Sequence, residues 1–91
     1  MESVIARRII VRGDVQGVGF RWSCALVAEA LGVAGYAANR RDGDVEVHAE
    51  GPPDAVAKLV AWCRTGPRHA IVTGVEVSPA EHRGLVTFST H

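Results

Sequence analysis

Two segments of this chain repeat the same spacing of apolar residues, and that spacing limits the folds that the chain can adopt. Apolar side chains at positions i, i+3, i+4 and i+7 form a single stripe along an α-helix. The stripes are Cys24, Val27, Ala28 and Leu31 in the first segment, and Val56, Leu59, Val60 and Cys63 in the second. A helix with one apolar stripe is buried on that side only, so each helix needs a sheet face to pack against.

Five other segments are typical of β-strands, because they are rich in β-branched residues or alternate apolar with polar ones. They are 7–13, 36–41, 44–50, 71–77 and 85–89. The Asp42-Gly43 pair predicts a tight hairpin between the second and third of these strands. The third strand alternates, which predicts one buried face and leaves His48 on an exposed polar face.

The order of these elements is β-α-β-β-α-β followed by a short strand, which we expect at an edge of the sheet. A split β-α-β arrangement of this kind places both helices on one face of a mostly antiparallel sheet, so the fold class is α+β. Ninety-one residues are enough for one core only, so residues 1–91 are predicted to form a single domain. The helices then run antiparallel and bring Cys24 and Cys63 to the same end, where a contact is possible but not required.

Composition excludes several functions. Ten basic and ten acidic side chains cancel, so no net field attracts nucleic acid or an anionic membrane. No apolar run approaches the roughly 18 residues that span a bilayer, and the first residues lack a signal pattern, so we expect a cytoplasmic protein. The two cysteines form no C-x-x-C pair, and the four histidines lack metal-ligand spacing, so no metal site is expected.

The segment 13–21, with the sequence GDVQGVGFR, joins the first strand to the first helix and contains three glycines in its first seven positions. Unbonded amides in such a turn, together with the positive end of the following helix, can cradle an anion. Arg21 can reach the same anion with a planar guanidinium. Taken alone, glycines at this spacing are more typical of a tight structural connection that needs positive φ. The segment is not a Walker A motif, because no Gly-Lys-Ser/Thr follows.

Three blocks of sequence together resemble the acylphosphatase family. They are GDVQGVGFR at 13–21, GYAANRRDGDVEV at 35–47 followed by Gly51-Pro52, and WCRTGP at 62–67 followed by Ala70 and Val72. The resemblance implies a ferredoxin-like fold and the metal-independent hydrolysis of acyl phosphates to carboxylate and inorganic phosphate, with no cofactor. It also implies that the partner is a small acyl phosphate, and we expect a monomer.

The resemblance also implies roles for particular residues. Arg21 corresponds to the family's phosphate-binding arginine, and Asn39 corresponds to its water-positioning asparagine, so these two are the expected catalytic residues. The amides that bind phosphate correspond to Val15, Gln16, Gly17, Val18, Gly19 and Phe20. Without the resemblance, Asn39 is more typical of a hairpin asparagine that bonds its own backbone.

Some positions depart from the family pattern and leave alternatives open. Tyr36, Ala37 and Ala38 stand where relatives often have Trp, Val and Arg, so the acyl specificity is not predicted. Arg40 and Arg41 are either solvated hairpin charges or recognise an acidic acyl group. The same architecture also serves non-catalytic anion-binding modules and the acylphosphatase-like domain of hydrogenase-maturation carbamoyltransferases. RNA binding is disfavoured, because the predicted strands lack an aromatic-rich surface.

Overall fold

The computed structural model describes residues 3–91, and the start of the predicted domain, Met1 and Glu2, lies outside the described residues. The elements are β1 (Ile5–Asp14), α1 (Phe20–Leu31), β2 (Ala34–Asn39), β3 (Val45–Gly51), α2 (Pro53–Cys63), β4 (Ile71–Pro79) and β5 (Phe88–Thr90). Neither helix within 3–91 has the length and apolar character needed to cross a membrane.

The five strands form one sheet in the order β4-β1-β3-β2-β5. Every neighbouring pair is antiparallel except β2 and β5, which are parallel. Because β1 and β2 are both antiparallel to β3, they run parallel to each other and end at the same edge of the sheet. Asp14 at the end of β1 and Asn39 at the end of β2 therefore lie on one side of the molecule. The predicted α+β fold class and the edge position of the last strand are confirmed.

One face of the sheet carries both helices and the apolar core. The helix side chains buried there include Cys24 and Ala28 of α1 and Val56, Leu59 and Cys63 of α2, all of which belong to the predicted stripes. They pack with the fully buried strand residues Ile9, Val11, Val45 and Val47. Both cysteines are free, and a hydrogen bond with the neighbouring Cys63 thiol, together with burial, raises the pKa of Cys24.

The other face of the sheet is not the exposed polar surface that the sequence predicts. His48 and Glu50 are each only 3% exposed. The alternation of residues along a strand shows which side chains share a face, but it does not show whether another segment covers that face. Here the connection between β4 and β5 crosses it, and the prediction that His48 is exposed is therefore wrong.

The covering connection is held by the carboxylate of Glu50. This carboxylate accepts hydrogen bonds from the main-chain amides of Arg83 at 2.8 Å, Gly84 at 3.1 Å and Leu85 at 3.2 Å. His48 Nε2 lies 2.6 Å from Glu50 Oε2, and the His48 ring stacks on Tyr36 with centroids 5.5 Å apart. We call Glu50 and these three amides the Glu50 nest.

Candidate active site

The edge at which β1 and β2 end contains a cavity of about 160 Å³. It is lined by Val15, Gly17, Gly19, Phe20, Arg21, Trp22, Asn39 and Thr90. The structure thus brings the two expected catalytic residues and most of the expected phosphate-binding residues around one space. Gln16 and Val18 are not part of the lining, and Trp22 and Thr90 were not predicted.

Residues 15–20, which we call the glycine loop, lead from β1 into the first residue of α1. Gly17 and Gly19 have φ angles of 76° and 78°, whereas the intervening Val18 and the preceding Gln16 have negative φ. An alternation of this kind turns successive amides toward the same side, which is how backbone anion nests are built. A Cβ at Gly17 or Gly19 would meet no atom within 4 Å, so it is the backbone conformation, not lack of space, that favours glycine.

The amides of the glycine loop are free to bind a ligand. Within residues 3–91, no main-chain amide of residues 15–20 donates a hydrogen bond to a protein acceptor. The N-cap of α1, Gly19, supplies no side-chain acceptor to the first turn either. Unbonded amides and the positive end of the helix dipole together form a site for an anion.

Arg21 lies in the first turn of α1 and supplies the positive charge of the cavity. Its Nη1 donates a hydrogen bond of 2.6 Å to the main-chain oxygen of His91, directly after β5. β5 reaches this place because it pairs with β2 in parallel, Tyr36 opposite Ser89 and Ala37 opposite Thr90. The last strand therefore holds the guanidinium at the cavity. The sequence does not indicate this contact, because it joins residues 70 positions apart with no shared motif.

Asn39 is the last residue of β2, and its alternation with the buried Ala37 places it on the face that carries the helices. It is therefore on the same side of the sheet as the glycine loop. Asn39 does not bond the backbone of its own hairpin, which was the alternative interpretation. Asp42 makes that kind of bond instead, because its Oδ1 accepts a hydrogen bond from the Asp44 amide at 3.0 Å. Within the described chain, the Asn39 side chain makes no hydrogen bond, so its amide can contact a ligand or water.

Gln16 connects the glycine loop to the hairpin between β2 and β3. Its Nε2 donates to the main-chain oxygen of Arg40 at 2.7 Å and to that of Asp44 at 2.9 Å. Arg40 directly follows Asn39, so these bonds fix the distance between the loop and Asn39. Val18, the other loop residue absent from the lining, packs against the hydrophobic core.

The charges of the hairpin are largely paired with each other. Arg40 lies 3.3 Å from Asp42 and 3.4 Å from Glu46, and Arg12 lies 3.7 Å from Asp44. Arg41 is exposed. These pairs favour the interpretation of Arg40 as a solvated hairpin charge, and Arg21 is the arginine that lines the cavity. No cluster of three His, Cys, Asp or Glu side chains in residues 3–91 is arranged to hold a metal ion.

Unbonded amides and a guanidinium around a small cavity suit a tetrahedral oxyanion, because each donor can bond a different oxygen. The fold and the site therefore define a protein built on a split β-α-β sheet, with a candidate site for a tetrahedral oxyanion at one edge of that sheet.

Comparison with known proteins identifies the family. The family model described as Acylphosphatase matches residues 7–90. An acylphosphatase of Nitrobacter hamburgensis is 55% identical over 75 residues, which are 82% of this chain and 76% of that protein. The crystal structure of acylphosphatase from Bacillus subtilis matches with a TM-score of 0.92 and 38% identity, covering 98% of this chain and 99% of that chain. The protein belongs to the acylphosphatase family, as the resemblance predicted.

A part of a much larger protein has the same fold. Full-length HypF matches all of this chain with a TM-score of 0.89, but with 20% identity and over only 12% of its own length. At this identity the likeness shows the fold alone.

Proposed function

We propose that this protein hydrolyses a small acyl phosphate with the glycine-loop amides and Arg21 holding the phosphoryl group and Asn39 positioning the attacking water, without a metal ion. The observation that carries these roles is that one cavity brings together Arg21, Asn39 and loop amides that have no protein acceptor. Membership of the acylphosphatase family makes the chain an enzyme that converts acyl phosphates to carboxylate and inorganic phosphate.

The reaction demands little acid–base chemistry. The leaving group is a carboxylate, whose conjugate acid has a pKa of about 4, so it departs without being protonated. In most analyses the transition state for phosphoryl transfer is loose, with negative charge on the peripheral oxygens. Catalysis then requires groups that hold those oxygens and a group that places water in line. The cavity supplies candidates for both.

The glycine loop and Arg21 perform the first task. Each hydrogen bond to a charged oxygen contributes about 1.5 to 3 kcal/mol, so a few amides and one guanidinium can hold a phosphoryl group in a protein of zero net charge. The guanidinium offers parallel donors that match two oxygens of the same group. The bond from Arg21 to the main chain of His91 keeps the side chain at the cavity, which reduces the entropy lost on binding.

Asn39 performs the second task. Its side-chain oxygen accepts a hydrogen bond from water and its nitrogen donates one to a phosphoryl oxygen, and neither group titrates near neutral pH. The water oxygen forms a bond to phosphorus while the bond from phosphorus to the acyl oxygen breaks. The carboxylate leaves with the bonding electron pair, and a phosphoryl oxygen takes the proton of the water.

The test measures turnover and phosphate binding in the same variants. We expect wild-type protein to hydrolyse acetyl phosphate equally well with and without EDTA. Arg21→Ala loses both turnover and competitive inhibition by inorganic phosphate, because the anion loses its cation. Asn39→Ala loses turnover but keeps phosphate binding. Arg64→Ala, at an exposed arginine after α2, is the matched control and keeps both.

Two outcomes contradict this proposal. Loss of activity in EDTA that is restored by a metal ion would contradict the metal-independent mechanism. Wild-type protein that binds phosphate but hydrolyses none of several acyl phosphates would favour the alternative of a non-catalytic anion-binding module.

We further propose that the protein works as a single-domain monomer in the cytoplasm. All the cavity residues come from one chain, and the two cysteines are free and buried, which fits a reducing compartment. Light scattering coupled to gel filtration tests the first part, with a mass near 9.7 kDa expected. Cell fractionation tests the second part.

A further inference from the structure

Thr90 brings a hydroxyl group to the cavity that also contains Arg21 and Asn39. Among residues 3–91, no group donates a hydrogen bond to this hydroxyl or accepts one from it. A hydroxyl can both donate and accept, and its hydrogen rotates to suit its partner. The Thr90 side chain is therefore available to a ligand or to water in the cavity.

The alternation of side chains along β5 places Thr90 on the face of the sheet that carries the helices. Phe88, two residues earlier, packs against the hydrophobic core, and residues two apart in a strand share a face. Ser89, between them, lines a separate groove on the other face, together with Tyr36. Thr90 and Asn39 are thus on the same face of two neighbouring strands.

The register between β5 and β2 sets the distance from Thr90 to Asn39. Thr90 pairs with Ala37, which lies two residues before Asn39. Neighbouring strands are about 4.8 Å apart and two residues of a strand advance about 6.6 Å, so the two Cα atoms are about 8 Å apart. Once the two side chains have spanned part of this distance, the remaining gap suits one water molecule that bonds each of them at about 2.8 Å.

A water molecule that attacks phosphorus has one position left for a further hydrogen bond. One of its lone pairs forms the bond to phosphorus, one O–H bonds the side-chain oxygen of Asn39, and the other O–H points to the phosphoryl oxygen that takes its proton. The second lone pair needs a donor. In a loose transition state the bond to the water is little advanced, so a donor costs little nucleophilicity while it fixes the direction of attack.

We propose that the hydroxyl of Thr90 donates a hydrogen bond to the attacking water and, with Asn39, holds that water in line with phosphorus. This inference rests on the proposed function of the site. Thr90 keeps its own proton throughout the reaction, and the acyl oxygen leaves with the electron pair of the bond that breaks. The glycine-loop amides and Arg21 hold the phosphoryl oxygens, so Thr90 acts on the water and not on phosphate binding.

The first experiment measures the hydrolysis of acetyl phosphate. Thr90→Val keeps the shape of the side chain and removes the hydroxyl, so we expect kcat to fall about tenfold. We expect KM and the inhibition constant of inorganic phosphate to stay within about twofold, because phosphate binding is not affected. Thr90→Ser keeps a hydroxyl and should restore most of kcat.

Thr87→Val is the matched control for this experiment. Thr87 is exposed like Thr90, but it lines the groove on the other face of the sheet and not the cavity. The same substitution there should leave kcat unchanged. A kcat in Thr90→Val that equals that of wild type overturns the inference. A weaker inhibition by phosphate in Thr90→Val also overturns it, because Thr90 would then bind the phosphoryl group.

The second experiment needs no turnover, so it separates this inference from the proposed function. Monovanadate accepts a fifth oxygen ligand in the attacking position and resembles the transition state, whereas inorganic phosphate stays tetrahedral. Isothermal titration calorimetry measures the affinities of both anions. We expect wild type to prefer vanadate, Thr90→Val to lose about tenfold of that preference, and Thr90→Ser to keep it. If wild type hydrolyses no acyl phosphate, the proposed function fails, and an equal preference in wild type and Thr90→Val then overturns the role of Thr90 as well.

Discussion

Two sets of main-chain amides in this molecule are arranged around an anion position, and they differ in what fills it. In the Glu50 nest, three amides bond the protein's own carboxylate at 2.8 to 3.2 Å, under cover of the β4–β5 connection. In the glycine loop, the amides have no protein acceptor and line an open cavity. The same arrangement of amides therefore stabilises the fold where a carboxylate of the protein fills it, and it is available to a ligand where no protein group does.

The Glu50 nest and the glycine loop also differ in the sign of the charge beside their amides. Burial of Glu50 opposes its ionisation, but the hydrogen bonds from His48 and from the amides of Arg83 and Leu85 outweigh this effect, and they lower the pKa of Glu50 to about 2. The negative charge of the Glu50 nest is therefore permanent at neutral pH. The glycine loop instead has the positive Arg21 beside it, a charge that suits an incoming anion.

Changing Arg21 to lysine should give the largest effect and should affect activity alone. An ammonium group cannot form two parallel hydrogen bonds to a phosphoryl group, so we expect kcat/KM for acetyl phosphate to fall at least about 100-fold. The side chain is not part of the core, so the midpoint of urea unfolding should move little. Near-normal turnover in Arg21→Lys would contradict the role of the guanidinium.

Changing Glu50 to glutamine should have the opposite effect: stability should fall, and activity should stay nearly unchanged. The amide nitrogen of glutamine would face a donor that now bonds an oxygen, so we expect a loss of about 2 to 3 kcal/mol in the free energy of unfolding. Glu50 lies near the end of β3 that is remote from the cavity, since it pairs with Ala6 and Ala34, so kcat/KM should stay within about twofold. Glu81→Gln, at an exposed acid of the same covering connection, is the control and should leave stability unchanged.

The pH dependence of stability is a further test, which compares wild type with Glu50→Gln. A folded pKa of about 2, below the usual 4.5, means that ionised Glu50 stabilises the fold at every pH above about 4.5. This contribution is lost as the pH falls from 4.5 toward 2. The difference in unfolding free energy between wild type and Glu50→Gln should therefore shrink as the pH falls from 4.5 toward 2. A difference that stays constant down to pH 2 would contradict a lowered pKa.

Changing Gln16 should have the smallest effect. Gln16 belongs to the glycine loop, but its side chain bonds the hairpin and does not line the cavity. Gln16→Ala removes two hydrogen bonds to the hairpin, which should cost about 1 kcal/mol of stability. We expect kcat to fall several-fold and KM to change less, since Asn39 loses its fixed distance from the loop. Gln16→Glu should be worse, because a carboxylate would face two carbonyl oxygens. A higher KM with unchanged kcat would instead place the effect on phosphate binding.

The sequence predicted the glycine loop better than it predicted the Glu50 nest. The glycine loop and Arg21 lie within nine consecutive residues, and the resemblance to the acylphosphatase family implied that Asn39 acts with them. The burial of His48 and Glu50 was missed, because the covering connection has no periodicity that would reveal its path. The bonds of Gln16 to the hairpin and of Arg21 to His91 were missed because they depend on side-chain geometry between distant segments.

The place of Trp22 in the cavity lining was not predicted, for a related reason. The spacing of apolar residues in α1 defines the stripe that faces the sheet, and Trp22 lies beside that stripe. The sequence alone does not distinguish an exposed ring on the surface of a helix from one that lines a cavity, because the cavity is formed by four separate segments of the chain, the glycine loop, α1, β2 and β5.

The buried thiol pair described in the core gives the molecule a built-in reporter of its own opening. Cys24 and Cys63 are the two cysteines of the chain, and both have 0% exposure. A thiol reagent can label them only after α1 has separated from α2 or the whole domain has unfolded. Labelling of the unmodified protein under native conditions therefore measures how often α1 separates from α2 or the domain unfolds, without denaturant.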